Sequence, residues 1–304
     1  MRSFLPGSLL LLAACSSRVP DIPQLGASEY ADTIDAFHAR RARIIAGPEG
    51  WTTYLGIKWL DPKAPLRIGS DPKSEYVLPA DHAPRLLGQV VPQGDSAIFV
   101  PARGVAVRAD TVPLTGPIRL RGDVERNATT LRSGPFVITY ITRGTRAAVR
   151  IRDTLNPTRR TYVPNFFPAD TSFRVTAHFV PRPTPDSMSI VDVHGIETRM
   201  EWPGELRFRL KGAEHSLQVI KEPTYHGSQL FVMFKDSTSG RESYEAMRYN
   251  FVAPPDSLGR TVLDFNQSFT PPCAFTSSST CSLPPPGNTL PVRVTAGERK
   301  PAKP

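Results

Sequence analysis

No run after residue 14 approaches the roughly 18 apolar residues that a membrane-crossing helix needs, so no later segment is expected to span a bilayer. The motifs G-x-S-x-G, H-E-x-x-H, the P-loop and the dinucleotide glycine fingerprint are all missing, which removes the enzyme classes that depend on them. No cofactor motif is present, and no cofactor is expected. Internal repeats of solenoid period are absent as well. Lysine is scarce, 8 residues against 29 arginines, so arginine carries most of the positive side of a +9 formal charge. Cysteine is scarcer still, with three in 304 residues. Proline is abundant at 32, but it is dispersed among apolar runs, unlike a low-complexity disordered chain.

The chain opens MRSFLPGSLLLLAAC. Arg2 is a minimal positive region, Phe4 to Leu12 is a short apolar run, and Leu12-Ala13-Ala14-Cys15 supplies small residues at a cleavage site. This pattern resembles the lipobox of bacterial lipoproteins, which implies a signal peptide over 1–14 and lipidation of Cys15. Ser16, where an aspartate resembles an inner-membrane retention signal, points to the outer membrane and a body facing the periplasm. Residues 15–27 read as a polar tether that reaches roughly 20 Å as a coil. The expected partner is thus the membrane, met through a lipid anchor. Nucleic acid is excluded for an exported chain despite its charge.

The remaining residues suffice for one large or two small domains. In Ser28 to Ala46, Ile34, Phe37, Arg41 and Ile44/Ile45 recur at helical spacing, with Ser28 as the N-cap and Gly47-Pro48 as the stop. Beyond Trp51, short Val-, Ile-, Phe- and Thr-rich runs are cut by Gly, Pro, Asn or Asp, as in strands. Examples are Ala97–Pro101, Val105–Arg108, Pro135–Thr142, Ala147–Arg152, Ser172–Val180, Glu205–Lys211, Ser216–Lys221 and Gln229–Phe234. Thr142-Arg143-Gly144-Thr145 reads as a hairpin turn. The expected fold is mainly β: antiparallel sandwich or barrel-like lobes with one N-terminal amphipathic helix. One β domain covers 28–299, with an N-terminal lobe at 47–122 and a C-terminal lobe at 130–298.

TYLGIKWLDP (53–62), YVLPADHAPRLLG (76–88), RIRD (150–153), NFFPAD (165–170), FKDSTSGRESYEAMRY (234–249) and AGE (296–298) together resemble a bacterial family, domain of unknown function 1684. The resemblance implies no activity. Where the family tends to read Ala-Tyr-Asn-Pro-Pro-Cys-Ala, this chain has Ser268-Phe269-Thr270-Pro271-Pro272-Cys273-Ala274. Where it tends to read Pro-Tyr-Ala-Thr-Cys-Pro-Leu-Pro, this chain has Ser277 to Pro284 without the tyrosine. Leu66 to Asp71 with Tyr76 to Pro79 is also similar to the opening of a forkhead-associated sandwich. That resemblance places its phosphothreonine-binding arginine and serine at Arg67 and Ser70, but the later Ser-Arg-x-x-His element is absent.

The candidate site residues are few. His194, Glu197, His215 and His226 are the donors that could converge on a metal, but such histidines are more often structural, and no metal is expected. Asp264 and Asn266 share one face of a strand end, where they either bind a ligand or cap the loop that follows. Asn288 lies just beyond that loop as a further polar candidate. Arg119 to Arg160 holds ten arginines against Asp123, Glu125 and Asp153. Within it, strand alternation turns Arg146, Arg150 and Arg152 outward, a solvated face or one for anionic lipid or glycan. Cys273 and Cys281 are expected to form a disulfide worth about 2.5 kcal/mol. A reactive thiol served by a base such as His226 and a zinc clip are the alternatives. The chain reads as a cell-envelope lipoprotein, a binding or structural β module. The competing reading is a hydrolase or transferase with a site near Asp264, Asn266 and the cysteine loop.

Overall fold

The computed structural model describes residues 19–221 and 227–301. The chain is mainly β with one N-terminal helix, as its patterning predicts. Helix α1 (Ala27–Ala46) starts at Gly26, two positions before the expected cap, with no side-chain cap bond. It buries Tyr30, Ile34, Phe37, Arg41 and Ile45, and leaves Ile44 exposed.

The first half contains β1 (Tyr54–Trp59), β2 (Leu66–Gly69), β3 (Tyr76–Val77), β4 (Gly88–Gln93), β5 (Ser96–Pro101), β6 (Arg108–Ala109), β7 (Val112–Pro113), β8 (Ile118–Leu120), β9 (Thr130–Ser133), β10 (Phe136–Arg143) and β11 (Arg146–Asp153). They form a six-stranded sheet, β1-β11-β10-β9-β6-β7, and a five-stranded sheet, β3-β2-β4-β5-β8. All pairings are antiparallel except β2 with β3. Both sheets contribute to one core, in which Ile68, Phe99, Leu131, Ile138 and Ile151 are buried. This is a sandwich, and neither sheet closes into a barrel. Val105–Arg108 departs from expectation, since only Arg108 enters a strand.

The second half contains β12 (Arg174–Val191), β13 (Glu197–Leu210), β14 (Ala213–Val219), β15 (Leu230–Phe234), β16 (Arg248–Val252) and β17 (Arg260–Asp264). The four-stranded sheet β14-β13-β12-β17 and the β15-β16 ribbon enclose a second core around Phe173, Leu206, Phe234 and Phe265. A third cluster, including Ile190, Phe231, Met233 and Met247, fills the other side of the ribbon.

Beyond residue 122, β9, β10 and β11 pair with β6 and β1 of the preceding segment, a pairing that patterning does not encode. The expected tether is partly fixed. Ile22 N–H donates to Thr176 Oγ1 at 2.8 Å, Gln24 Nε2 to the Arg174 carbonyl at 2.9 Å, and Arg260 Nη1 to the Pro20 carbonyl at 2.8 Å. These contacts strap Pro20 to Gln24 along β12 and β17. The expected signal peptide over 1–14, with Cys15, lies outside the described residues.

Candidate functional site

The β10–β11 hairpin turns on Gly144, whose φ of +54° glycine adopts without steric cost. Alternation sends Val149 and Ile151 into the sandwich core and Arg146, Arg150 and Arg152 to the opposite face. The three arginines meet different surroundings: Arg150 reaches the other half of the molecule, Arg152 meets Tyr54 of β1, and Arg146 stays exposed. Arg150 donates through Nε to the Ser278 carbonyl at 3.0 Å and through Nη2 to Thr280 Oγ1 at 3.4 Å. Arg143 reaches the same hydroxyl at 2.8 Å and forks onto Asp123 at 3.0 and 2.8 Å. Arg152 donates to Tyr54 Oη at 2.9 Å. Arg146 alone of the three is exposed, with its guanidinium 4.3 Å from the Trp59 ring centre.

Between the halves lies a cavity of about 560 Å³. Trp51, Tyr54, Arg143 and Arg150 line it from the sandwich side. Met200, Phe231, Phe251 and Phe269 make an apolar wall from the other, and Ser279, Thr280 and Cys281 complete it. Burial lowers the Arg150 guanidinium below its ordinary range, and neighbouring Arg143 pushes the same way. Asp192, at the tip of the β12–β13 hairpin, also lines the cavity. Its Oδ1 accepts the His194 and Ile196 N–H groups at 2.8 and 2.9 Å. Its Oδ2 is buried without a hydrogen-bond partner among the described residues. The site therefore offers a half-buried cation, an open acceptor and an apolar wall. Sequence reasoning found Arg150 and Cys281 but missed Asp192, Tyr54 and Trp51, since no local motif marks them.

The cysteines are free thiols rather than the expected disulfide. Hydrogen bonds close the loop instead. The Cys273 N–H donates to Cys281 Sγ at 3.1 Å, and the two thiols hydrogen-bond each other. Burial tends to raise the Cys281 thiol, but the bonds from Cys273 and Ser279, with Arg150 nearby, bring it below its ordinary value. Cys273 is pushed up by its bond to Cys281 and by burial. The loop is held to the β12–β13 tip, where Val193 N–H donates to the Cys281 carbonyl at 3.0 Å.

The other candidates are structural. Asp264 Oδ1 caps the turn at Asn266 N–H, 2.9 Å, and both Asp264 oxygens accept from Tyr30 Oη at 3.2 Å. Asn266 exchanges bonds with the Asp170 backbone at 3.0 and 2.9 Å. Asn288 joins β14 to β15 by bonding both backbone groups of Gln218 and the Met233 carbonyl. None of the three lines the cavity, whereas Cys281 of the neighbouring cysteine loop does. His194 bonds the Ser279 carbonyl, Glu197 accepts from Ser189, and His226 lies outside the described residues. Among the described residues no group of three His, Cys, Asp or Glu side chains could hold a metal ion. Arg67 is occupied by Glu75 at 2.8 and 3.0 Å and Ser70 by the Ala83 carbonyl, which leaves neither poised for a phosphothreonine.

The motifs of the second half are likewise load paths for buried charge. Arg248 meets Asp236 at 2.9 Å, and Asp236 also accepts from Thr238 and the Val294 N–H. Gly297, at φ +78°, leaves no room for a Cβ beside the Phe265 and Ser268 carbonyls. No curated protein matches the chain. An uncharacterised protein from gene locus rrnAC0354 of Haloarcula marismortui, known from a solution NMR structure, is 33% identical over 47% of this chain and 80% of its own, with a TM-score of 0.40. Residues 163–299 match the family model described as protein of unknown function (DUF1684). The match lies wholly within the second half of the chain.

Proposed function

We propose that the chain is a lipid-anchored binding module of the cell envelope, and that its ligand occupies the cavity between the two halves. The observation that carries this reading is that one cavity brings together Arg150, the Phe231, Phe251 and Phe269 wall, and Asp192, whose buried Oδ2 has no hydrogen-bond partner among the described residues. A guanidinium pairs with carboxylate or phosphate oxygens, an unpartnered carboxylate oxygen wants a donor, and the wall takes apolar area. The ligand class is an amphiphile that joins an acid group to a hydrogen-bond donor. A cavity of about 560 Å³ falls in the range of small-molecule sites. With Pro20 to Gln24 strapped to the body, four residues separate Cys15 from the strap. The five steps from Cys15 to Pro20 reach at most about 18 Å, which holds the cavity-bearing body near the bilayer.

The test uses N-dodecanoylglycine, which carries an acid, an amide N–H and an acyl chain, followed by the fluorescence of Trp51. Saturable binding is expected, lowered about tenfold or more by Arg150→Gln, with dodecyltrimethylammonium failing to compete. Equal binding by Arg150→Gln would remove the cavity reading. The anchor is tested separately: Cys15→Ala should abolish acyl mass and shift the protein out of the membrane fraction.

A further inference from the structure

After Cys15 the chain has six sulfur side chains, Met188, Met200, Met233, Met247, Cys273 and Cys281. All six belong to the third apolar cluster, and the two larger cores contain none. Methionine used as a general gap-filler has no reason to gather in the smallest core beside the only thiol pair. Within that cluster the two thiols touch, and their partners are protein groups: Ser279 Oγ lies 3.6 Å from Cys281 Sγ, and Tyr244 bonds Cys273. Cys281 and Met200 both line the cavity, which provides an entry path.

We propose that Cys273 and Cys281 form a Cu(I) site at the wall of the cavity, with the surrounding methionine thioethers as further soft donors. Thiolate and thioether ligands select Cu(I) among biological metals, and two thiolates satisfy its preference for low coordination. Zinc would need a four-ligand set, and among the described residues no group of even three His, Cys, Asp or Glu side chains is assembled. Binding displaces both thiol protons, and two thiolates on one Cu(I) leave a net charge of −1. Arg150, half-buried nearby and already acting on Cys281, offsets that charge. This inference does not rest on the amphiphile reading, because it concerns the sulfur cluster alone.

The test titrates Cu(I) anaerobically into the reduced full-length chain against a chromogenic Cu(I) chelator, with no amphiphile present. Cys15→Ser in every sample removes the third thiol. One Cu(I) per chain should be withdrawn from the chelator, and Cys273→Ser or Cys281→Ser should each weaken retention by more than about a hundredfold. Met200→Leu should weaken it less. Bound Cu(I) should also protect both cysteines of the otherwise unaltered chain from iodoacetamide, a readout independent of how the serine variants fold. The proposal is overturned if the reduced protein cannot compete with the chelator, if the Cys273→Ser/Cys281→Ser double variant competes equally, or if alkylation proceeds unchanged with Cu(I) present.

Discussion

Arg41 Nη2 lies 2.8 Å from Glu298 Oε2, 257 positions away in sequence, and both side chains are almost wholly buried. The guanidinium also bonds the Thr270 carbonyl and sits between the Trp51 and Phe269 rings at 4.7 and 4.6 Å. Glu298 accepts from the Thr270 N–H and from Tyr162 Oη. Burial pushes the carboxyl up and the guanidinium down, and their mutual attraction opposes both shifts. The pair pins α1 to the last described strand-like segment, which is why the AGE motif ends in an acid.

Removing either partner strands the other charge in the interior. Arg41→Met or Glu298→Met should each cost about 3–5 kcal/mol, whereas the Arg41→Met/Glu298→Met double variant should cost less than the sum. Urea unfolding of the four proteins, compared as a cycle, decides the point. Additive losses would mean that the pair is not coupled.

Asn288→Ala should destabilise by at least about 2 kcal/mol, because it leaves the buried Gln218 and Met233 backbone groups without partners. Asn288→Asp should rescue little, since a carboxylate cannot donate to the two carbonyls. A midpoint in urea unchanged from the original protein would contradict the bridging role.

Asp264→Ala and Asn266→Ala should lower the melting temperature and loosen α1, yet leave N-dodecanoylglycine binding within about twofold. The reason is that their polar atoms are engaged by Tyr30 and Asp170 and neither lines the cavity. Binding lost in a variant that still unfolds cooperatively would restore a direct role for that strand end.

His82 hydrogen-bonds Asp153 at 2.9 Å and meets Asp81 at 2.7 Å, stacked on Phe136. Burial lowers its basicity, but the two carboxylates raise it further, for a net upward shift. A raised folded-state value means that the stabilisation is fully present below the unfolded value of about 6.5 and is lost as pH rises through the folded one. The stability difference between the protein and His82→Gln should therefore shrink as pH rises above about 6.5. A difference that grows with pH would reverse the assignment.

The elements that depend on local periodicity were legible in the sequence. Ile34, Phe37, Arg41 and Ile45 marked the buried stripe of α1, and Arg143-Gly144 marked the β10–β11 turn, because 3.6- and two-residue periods are written along the chain. Alternation likewise placed Arg146, Arg150 and Arg152 on one face of β11. What covers that face depends on contacts between positions more than a hundred residues apart, such as Arg150 with Ser278. No local pattern encodes which distant loop meets which strand. For the same reason Asp264, Asn266 and Asn288 looked like ligand groups from their neighbours alone. Only the tertiary structure, by bringing Tyr30, Asp170 and Gln218 against them, turned them into buried hydrogen-bond partners and left Arg150 and Asp192 facing the cavity.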